Sequence, residues 1–381
     1  MTGVAIIGAG MHRFGRTEGV PGRAQAVHAA RAALADAGLR FSDMGFGFGG
    51  SHSAGDADTL VSELGLTGLP FINVHNGCAT GGSALIAAQA AIASGAHDLG
   101  IVIGFDKHPR GAFDTDPADH GIGSWYGETG LMVTTQFFGM KIQRYLHEHD
   151  MDPDLLAMVA EKAFRNGAAN PMAWRRKELG AAEIAASTMI SDPLTQYMYC
   201  SPGEGAVALV LCRADRAREH TDRPVFLRGA AFRSRRYGSF EVFSPWLATD
   251  RADSPTVEAA RAVFEQAGVA PSEVDLAQVQ DTESGAELMH MAETGLCADG
   301  EQDELIRSGA TAIDGRLPVN TDGGCLANGE PIGASGLRQV HENVLQLRGE
   351  AGLRQVPGGP RVGFTHVYGA PGISACTVLT R

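Results

Sequence analysis

The sequence predicts an α/β fold in which parallel strands are covered by helices on both faces. Short apolar runs such as Val4-Ala5-Ile6-Ile7 and Leu99–Gly104 alternate with longer segments of helical period. A run that is apolar at every residue suits a strand buried on both faces. Strand–helix–strand order occurs twice, before and after about residue 216, with no short fixed period, so the chain reads as a duplicated pair of units and not a solenoid. At 381 residues, 44% hydrophobic and 20% charged, it has the composition of an ordinary globular protein with room for two such units.

In the first unit, Val4–Gly8 is a strand and Ala24–Ala37 a helix closed by Gly38. Gly8-Ala9-Gly10 resembles a dinucleotide loop only weakly, because the third glycine is missing and Met11-His12-Arg13-Phe14 opens no helix. Phe71–Val74 is a strand, Thr80–Ala93 a small-residue buried helix, and Leu99–Gly104 a further strand. From Lys107 to about Gln196, loops rich in Asp, His and Gly precede helices around Val133–His149 and Leu155–Asn166, read as an insertion over the active face. Gly203–Leu211 returns to a core strand, and the first unit is expected to span 1–215. The second, 216–381, holds the strand Pro224–Ala230, the helix Ser254–Ala267 and the strand Val274–Gln280. The helices Gly285–Thr294 and Pro331–Arg348 and the strands Val362–His366 and Ser374–Leu379 complete it.

The net charge of −13 argues against nucleic acid as a partner but leaves room for an anionic small molecule on a local basic patch. Six cysteines without Cys-x-x-Cys or Cys/His ligand spacing point to reduced thiols, and His108, His120 and His147 lack metal-ligand spacing, so no metal is expected. No apolar run reaches the ~18 residues of a membrane span, which gives the expectation of a soluble cytoplasmic protein.

Cys78 draws the functional reading. It stands in Asn76-Gly77-Cys78-Ala79-Thr80-Gly81 at the first turn of the predicted helix, where unpaired N–H groups and the helix dipole favour thiolate. The competing reading is a small buried apolar residue, as most free cysteines are.

With this stretch, the chain resembles the thiolase superfamily, in the sterol-carrier-protein and lipid-transfer branch. Further matches are Gly104-Phe105-Asp106-Lys107, Asp192-Pro193-Leu194, Val319-Asn320 with Gly323-Gly324, Gly333-Ala334-Ser335-Gly336, and Leu347-Arg348-Gly349-Glu350-Ala351, in the family's order. The resemblance implies two βαβαβαββ halves in a five-layered αβαβα sandwich, usually dimeric. It also implies a coenzyme A thioester as substrate, no bound cofactor, and carbon–carbon bond chemistry through an acyl-cysteine. Cys78 matches the nucleophile. The family's Gly-His-Pro is Gly329-Glu330-Pro331 here, the branch's His-Asp-Cys-Phe is Gln280-Asp281-Thr282-Glu283, and the Cys-x-Gly position holds His366-Val367-Tyr368.

Each exchange has a chemical meaning. Glu330, read as opening a helix at a Pro N1 position, stays ionised, opposes thiolate formation at Cys78 and cannot donate as an imidazole does. Gln280 keeps an amide donor for a substrate oxygen. His366 and Tyr368 share one face of an extended segment. Structural roles compete: Glu330 as a helix cap, His75 as a packed imidazole, Cys325 as a fitted small residue, Tyr368 as a rim hydroxyl. For coenzyme A, Arg233, Arg235 and Arg236 form a cationic patch, with a solvated charge run as the alternative, and Gly333 and Ser335 lie on the matching motif.

Three functions compete at this point. The first is a thiolase-type acyltransferase with an acyl-Cys78 intermediate, His366 as acid/base and Gln280 at the oxyanion, acting in lipid or steroid side-chain metabolism. A retro-aldol lyase on β-hydroxyacyl-CoA steroid side chains, completed by a small zinc-ribbon/OB-fold partner protein, is the second, although relatives of that kind place a tyrosine where Gln280 stands. The third is a non-catalytic acyl-CoA or sterol-binding protein.

Overall fold

The computed structural model describes residues 3–244 and 252–381. Its strands are β1 (Val4–Gly15), β2 (Gly47–Gly50), β3 (Phe71–Asn73), β4 (Leu99–Lys107), β5 (Met189–Ser191), β6 (Leu194–Thr195), β7 (Glu204–Arg213), β8 (Val225–Ser234), β9 (Leu276–Val279), β10 (Val362–Gly369) and β11 (Ile373–Thr380). Nine of them form one sheet in the order β3-β2-β4-β7-β1-β8-β11-β10-β9, while β5 and β6 pair separately. Pairing is parallel only across β3-β2-β4 and between β9 and β10; the five central pairings are antiparallel. The expectation of parallel strands throughout is thereby corrected. In each run the last strand turns back into the middle, β7 between β4 and β1, β11 between β10 and β8. The two runs repeat one order, with β8, β11, β10 and β9 answering to β1, β7, β4 and β2. Where β3 would have its counterpart there is a single bridge, Ala277 to Val319.

The continuous apolar runs are explained by burial on both faces. Ala5, Ile7, Ile101, Ile103, Ala208 and Val210 pack with Ala26, Ala30 and Ala33 of the Gly22–Asp36 helix. Their alternates Val4, Ile6, Val102, Leu209 and Leu211 pack with Leu85, Ala88, Leu337 and Val344 of the helices Thr80–Ala93 and Ser335–Arg348. On the second run, Ala231, Cys376 and Val378 meet Ala259, Ala260 and Val263 of the Pro255–Ala267 helix. The result is outer helix, strands, two central helices, strands, outer helix. Each fully buried Leu, Ile or Val contributes about 1.5–3 kcal/mol, so these alternating faces carry most of the stabilisation.

Glycines set how closely the layers approach. Gly8 and Gly10 lie inside β1, where a Cβ would come within 2.2 Å of Ala33 O and 2.3 Å of Ala33 N. Their role is helix-on-strand contact, not a nucleotide loop. The two central helices cross the same way, since a Cβ on Gly81 would meet Gly333 O at 2.9 Å and one on Gly336 would meet Gly82 N at 2.7 Å. This crossing sets the segments before each helix, Asn76–Ala79 and Gly329–Ala334, beside one another. The second central helix begins at Ser335 and not at Pro331; residues 332–334 form a turn, with Pro331 O accepting from Ala334 N at 2.8 Å and Ser335 N at 3.1 Å.

Candidate active site

Cys78 sits in a turn two residues ahead of the Thr80–Ala93 helix. Gly77 has φ +54°, and a Cβ there would strike Ala370 O at 2.7 Å, so the turn lies directly against the β10–β11 connection. Thr80 Oγ1 donates to Gly77 O (2.7 Å) and accepts from Asn76 N (2.9 Å), and Asn76 Nδ2 donates to Ser83 Oγ (2.9 Å). These bonds fix the turn. The helix effect on the thiol is outweighed, because burial and then the adjacent Glu330 carboxylate push Cys78 well above its ordinary range. The resting group is a thiol.

Glu330 does not open a helix. It follows Gly329, whose φ of +79° ends the Gly324–Asn328 helix, and its backbone is extended, with Glu330 N donating to Ser201 O (2.9 Å) and Glu330 O accepting from Gly203 N (3.1 Å). Neither the cap reading nor the dipole argument survives this placement. The fully buried carboxylate accepts from Gln280 Nε2 at 3.1 Å, while Glu330 Oε2 and Gln280 Oε1 have no hydrogen-bond partner. Two more cysteines border this carboxylate. Cys200, whose N donates to Thr282 O (2.9 Å), is raised by burial and by Glu330, with Arg175 opposing. Cys325, fully buried, is raised by burial, Glu330 and Asp281. Asp281 accepts from Cys325 N (2.6 Å), and Asp322 accepts from Gly324 N (3.0 Å) and pairs with the buried Arg338. Burial raises Glu283 to about 8 even though it accepts from Gly285 N.

His366 and Tyr368 do share a face of β10, but the one turned from the central helices. Val367, between them, fills the space above Gly82 and Gly336, whereas Phe364 on their own face stacks on Phe264 of the outer helix at 5.0 Å. His366 is fully buried; its Nε2 lies 3.1 Å from Thr256 Oγ1 and 3.2 Å from Ser374 Oγ, and its Nδ1 has no partner. Burial, then His290 at 4.4 Å between rings, hold it well below its usual range, so it is neutral. The Tyr368 hydroxyl donates to Glu241 Oε2 at 2.7 Å, and burial and that carboxylate keep the phenol protonated. Lys141 Nζ stands 5.8 Å from the Tyr368 ring centre, and His290 Nδ1 is 2.7 Å from Glu293 Oε2. Against burial, His290 and Lys141 hold Glu293 at about 2. Tyr126, Met132, Phe137, Val242 and Phe243 form an apolar cluster against which Tyr368 and Ala370 pack. Lys141, Glu241, His290 and Glu293 escaped the sequence reading because nothing in their spacing joins them; the fold alone does.

The chain is 35% identical to an acetyl-CoA acetyltransferase from Methanothermobacter thermautotrophicus over the whole of both chains. It is 30% identical to sterol carrier protein 2 from Bos taurus, over 98% of this chain and 72% of that one. Residues 247–381 match the family described as thiolase C-terminal domain-like. This protein belongs to the thiolase superfamily, in its sterol-carrier-like branch. Its fold superimposes on the solved Ltp2-ChsH2(DUF35) aldolase with a TM-score of 0.88 and 25% identity, covering 100% of this chain and 98% of that one.

The remaining positions singled out in this thiolase-superfamily enzyme fall elsewhere. Arg233, Arg235 and Arg236 lie exposed at the end of β8, and Arg236 is already paired with Glu258 at 3.0 Å. Arg235 and Arg236, with Ser234, Tyr237, Ser239 and Ser244, line a depression of about 410 Å³. Gly333 and Ser335 are not beside them. A Cβ on Gly333 would meet Phe105 O at 2.5 Å, and the fully buried Ser335 hydroxyl donates to Pro331 O at 3.2 Å. Gly333 thus lies against β2 and β4, and Ser335 is bonded within its own segment. His75 stacks on His52, and Asp106 nearby accepts from the backbone N of His52, Ser53 and Gly333 at 2.8, 2.8 and 2.9 Å. No cluster of three or more metal-binding side chains is found among the described residues, nor any helix long and apolar enough to cross a membrane.

Proposed function

We propose that this enzyme cleaves the Cα–Cβ bond of a β-hydroxyacyl-CoA thioester by a retro-aldol reaction. The observation that carries the reading is the exchange at Cys78, whose thiol is kept protonated by burial and then by the Glu330 carboxylate it faces, where the family has an imidazole. A protonated thiol is a poor nucleophile. Tyr368 with Glu241 behind it offers the alternative chemistry. The substrate hydroxyl gives its proton to the Tyr368 oxygen while the Tyr368 proton passes to Glu241, and a carbonyl forms at Cβ. The Cα–Cβ electron pair moves to Cα and is stabilised as the thioester enolate. Cα then takes a proton from water. The products are a ketone or aldehyde and a shortened acyl-CoA.

Support for a bulky apolar acyl chain, as in lipid or steroid side chains, comes from the Tyr126–Met132–Phe137–Phe243 wall beside Tyr368. Arg233 and Arg235 are proposed for the coenzyme A phosphates. The two units are proposed as 1–215 and 216–381. A second copy along the free edge of β3, where Ile72 is 53% exposed, and a small zinc-ribbon/OB-fold partner are proposed as the assembly. The two components in the name of the solved Ltp2-ChsH2(DUF35) aldolase motivate that partner.

The test incubates the full chain, alone and with such a partner, with β-hydroxyacyl-CoA thioesters, recording products and intact protein mass. Cleavage without a covalent adduct is expected, retained in Cys78→Ala and reduced by about 10²–10⁴ in Tyr368→Phe. An acyl adduct on Cys78, lost together with all turnover in Cys78→Ala, would return the enzyme to acyltransferase chemistry.

A further inference from the structure

We propose that Lys141 is a positioning residue for the Tyr368–Glu241 pair: its ammonium, carried in on the Thr134–Glu148 helix, keeps Glu241 in the state that accepts the Tyr368 hydroxyl. The inference rests on the reading just given and deepens it, because it assigns part of the chemistry to the insertion between the core strands.

Four separate segments converge on this spot. Glu241 lies in the stretch after β8, 3% exposed, with its side chain against Gly372 of the β10–β11 connection. Tyr368 comes from β10 and donates to Glu241 Oε2 at 2.7 Å. Glu293 closes the Ser284–Glu293 helix, bonded to His290 on its own helix at 2.7 Å. Lys141 enters from the insertion, 5.8 Å from the Tyr368 ring centre, on a helix whose Phe137, Ile142 and Leu146 are buried. The groups facing Glu241 are Lys141, Tyr368, Glu293 and Arg235, and those facing Lys141 are Glu293, Glu241 and Glu283.

The charges explain why a cation is needed there. A carboxylate this deeply buried prefers to be neutral, and Glu293, held ionised by His290, adds like-charge repulsion. Burial raises Glu241, and Lys141 and the Tyr368 hydrogen bond pull it back. Once protonated, Glu241 has no use as the terminus for the Tyr368 proton. The same acids draw Lys141 upward against its own burial, so the ammonium persists across the working range.

The sign for activity follows. With Lys141 replaced by an uncharged side chain, Glu241 holds its proton to higher pH, so the acidic limb of the rate profile moves upward. Lys141→Met preserves the aliphatic stem, and Lys141→Arg restores the charge. The kcat/KM of Lys141→Met is expected to fall about ten-fold or more near pH 6 and to recover toward wild type near pH 9. The loss lies mainly in kcat, and Lys141→Arg recovers most of it. A direct readout needs no substrate: titration of ¹³C-carboxyl-labelled glutamates by NMR, with the Glu241 signal assigned by Glu241→Gln. Glu241 is expected to titrate at higher pH in Lys141→Met than in wild type, and near wild type in Lys141→Arg. An unchanged Glu241 titration in a folded Lys141→Met protein overturns the proposal, as does a rate loss that is the same at every pH. Absence of any cleavage in wild type would instead overturn the retro-aldol reading, and the NMR arm still decides the role of Lys141.

Discussion

Replacing Gly336 by alanine sets two effects of known size against each other. Alanine is favoured over glycine in a helix interior by roughly 1 kcal/mol, an upper limit for residue 336 in the first turn. The added methyl, however, would sit 2.7 Å from Gly82 N and 3.1 Å from Val367 Cγ1. Gly82 N belongs to the backbone of the opposing central helix and cannot rotate aside. Restoring ordinary contact requires the two helices to part by several tenths of an ångström, which weakens dispersion contacts along the whole crossing. Overpacking of this kind costs about 1–3 kcal/mol, so the net expectation is a loss of up to about 2 kcal/mol, read as a lower urea midpoint. The crossing also sets Cys78 beside Glu330, so turnover should fall further than the loss of stability alone would bring. A raised midpoint would refute the argument, because helix propensity would then have won and the crossing would not be close-packed.

Two further outcomes follow from the charges. Glu330→Gln removes the negative charge beside Cys78, so iodoacetamide at pH 8 should alkylate that cysteine at least about ten-fold faster than in wild type; equal rates in peptide mapping would mean that the carboxylate does not hold the thiol. Burial first, then Arg354, hold His341 at about 4 against an unfolded value of 6.5. Its contribution is intact above pH 6.5 and declines as pH falls toward 4, by about 1.4 kcal/mol per pH unit and about 3 kcal/mol in all. His341→Gln should flatten that part of the stability–pH curve, and equal slopes for the two proteins would contradict it.

Much of the fold was legible because strands buried on both faces leave continuous apolar runs, and because Gly268 caps its helix directly and Gly38 follows the Ala37 cap of the first. The direction of pairing was not. Whether β7 and β11 insert antiparallel depends on the path of the connections, which leaves no periodicity. The Ser335–Arg348 helix misleads in another way. Arg338, Gln339, Glu342, Asn343 and Gln346 are all polar, yet all are buried. Their partners are distant in sequence, as with Asn343 Nδ2 and Phe364 O at 2.9 Å. In the site, Cys78, Gln280 and Glu330 came together as their motifs implied. The pairing of Tyr368 with Glu241 was hidden, since Glu241 lies in an irregular stretch that carries no motif.

Asp106, Asp281 and Asp322 accept from backbone N–H groups of the segments that carry the site, at Gly333, Cys325 and Gly324. None of these bonds involves the side chains at 280, 330, 366 or 368. The course of the main chain at these points is therefore specified independently of those four side chains. A scaffold wired in this way can change its reactive groups with little disturbance to their mounting. The same nine-stranded frame can thus carry an imidazole or a carboxylate opposite one cysteine, and the reaction can change without the architecture being renegotiated.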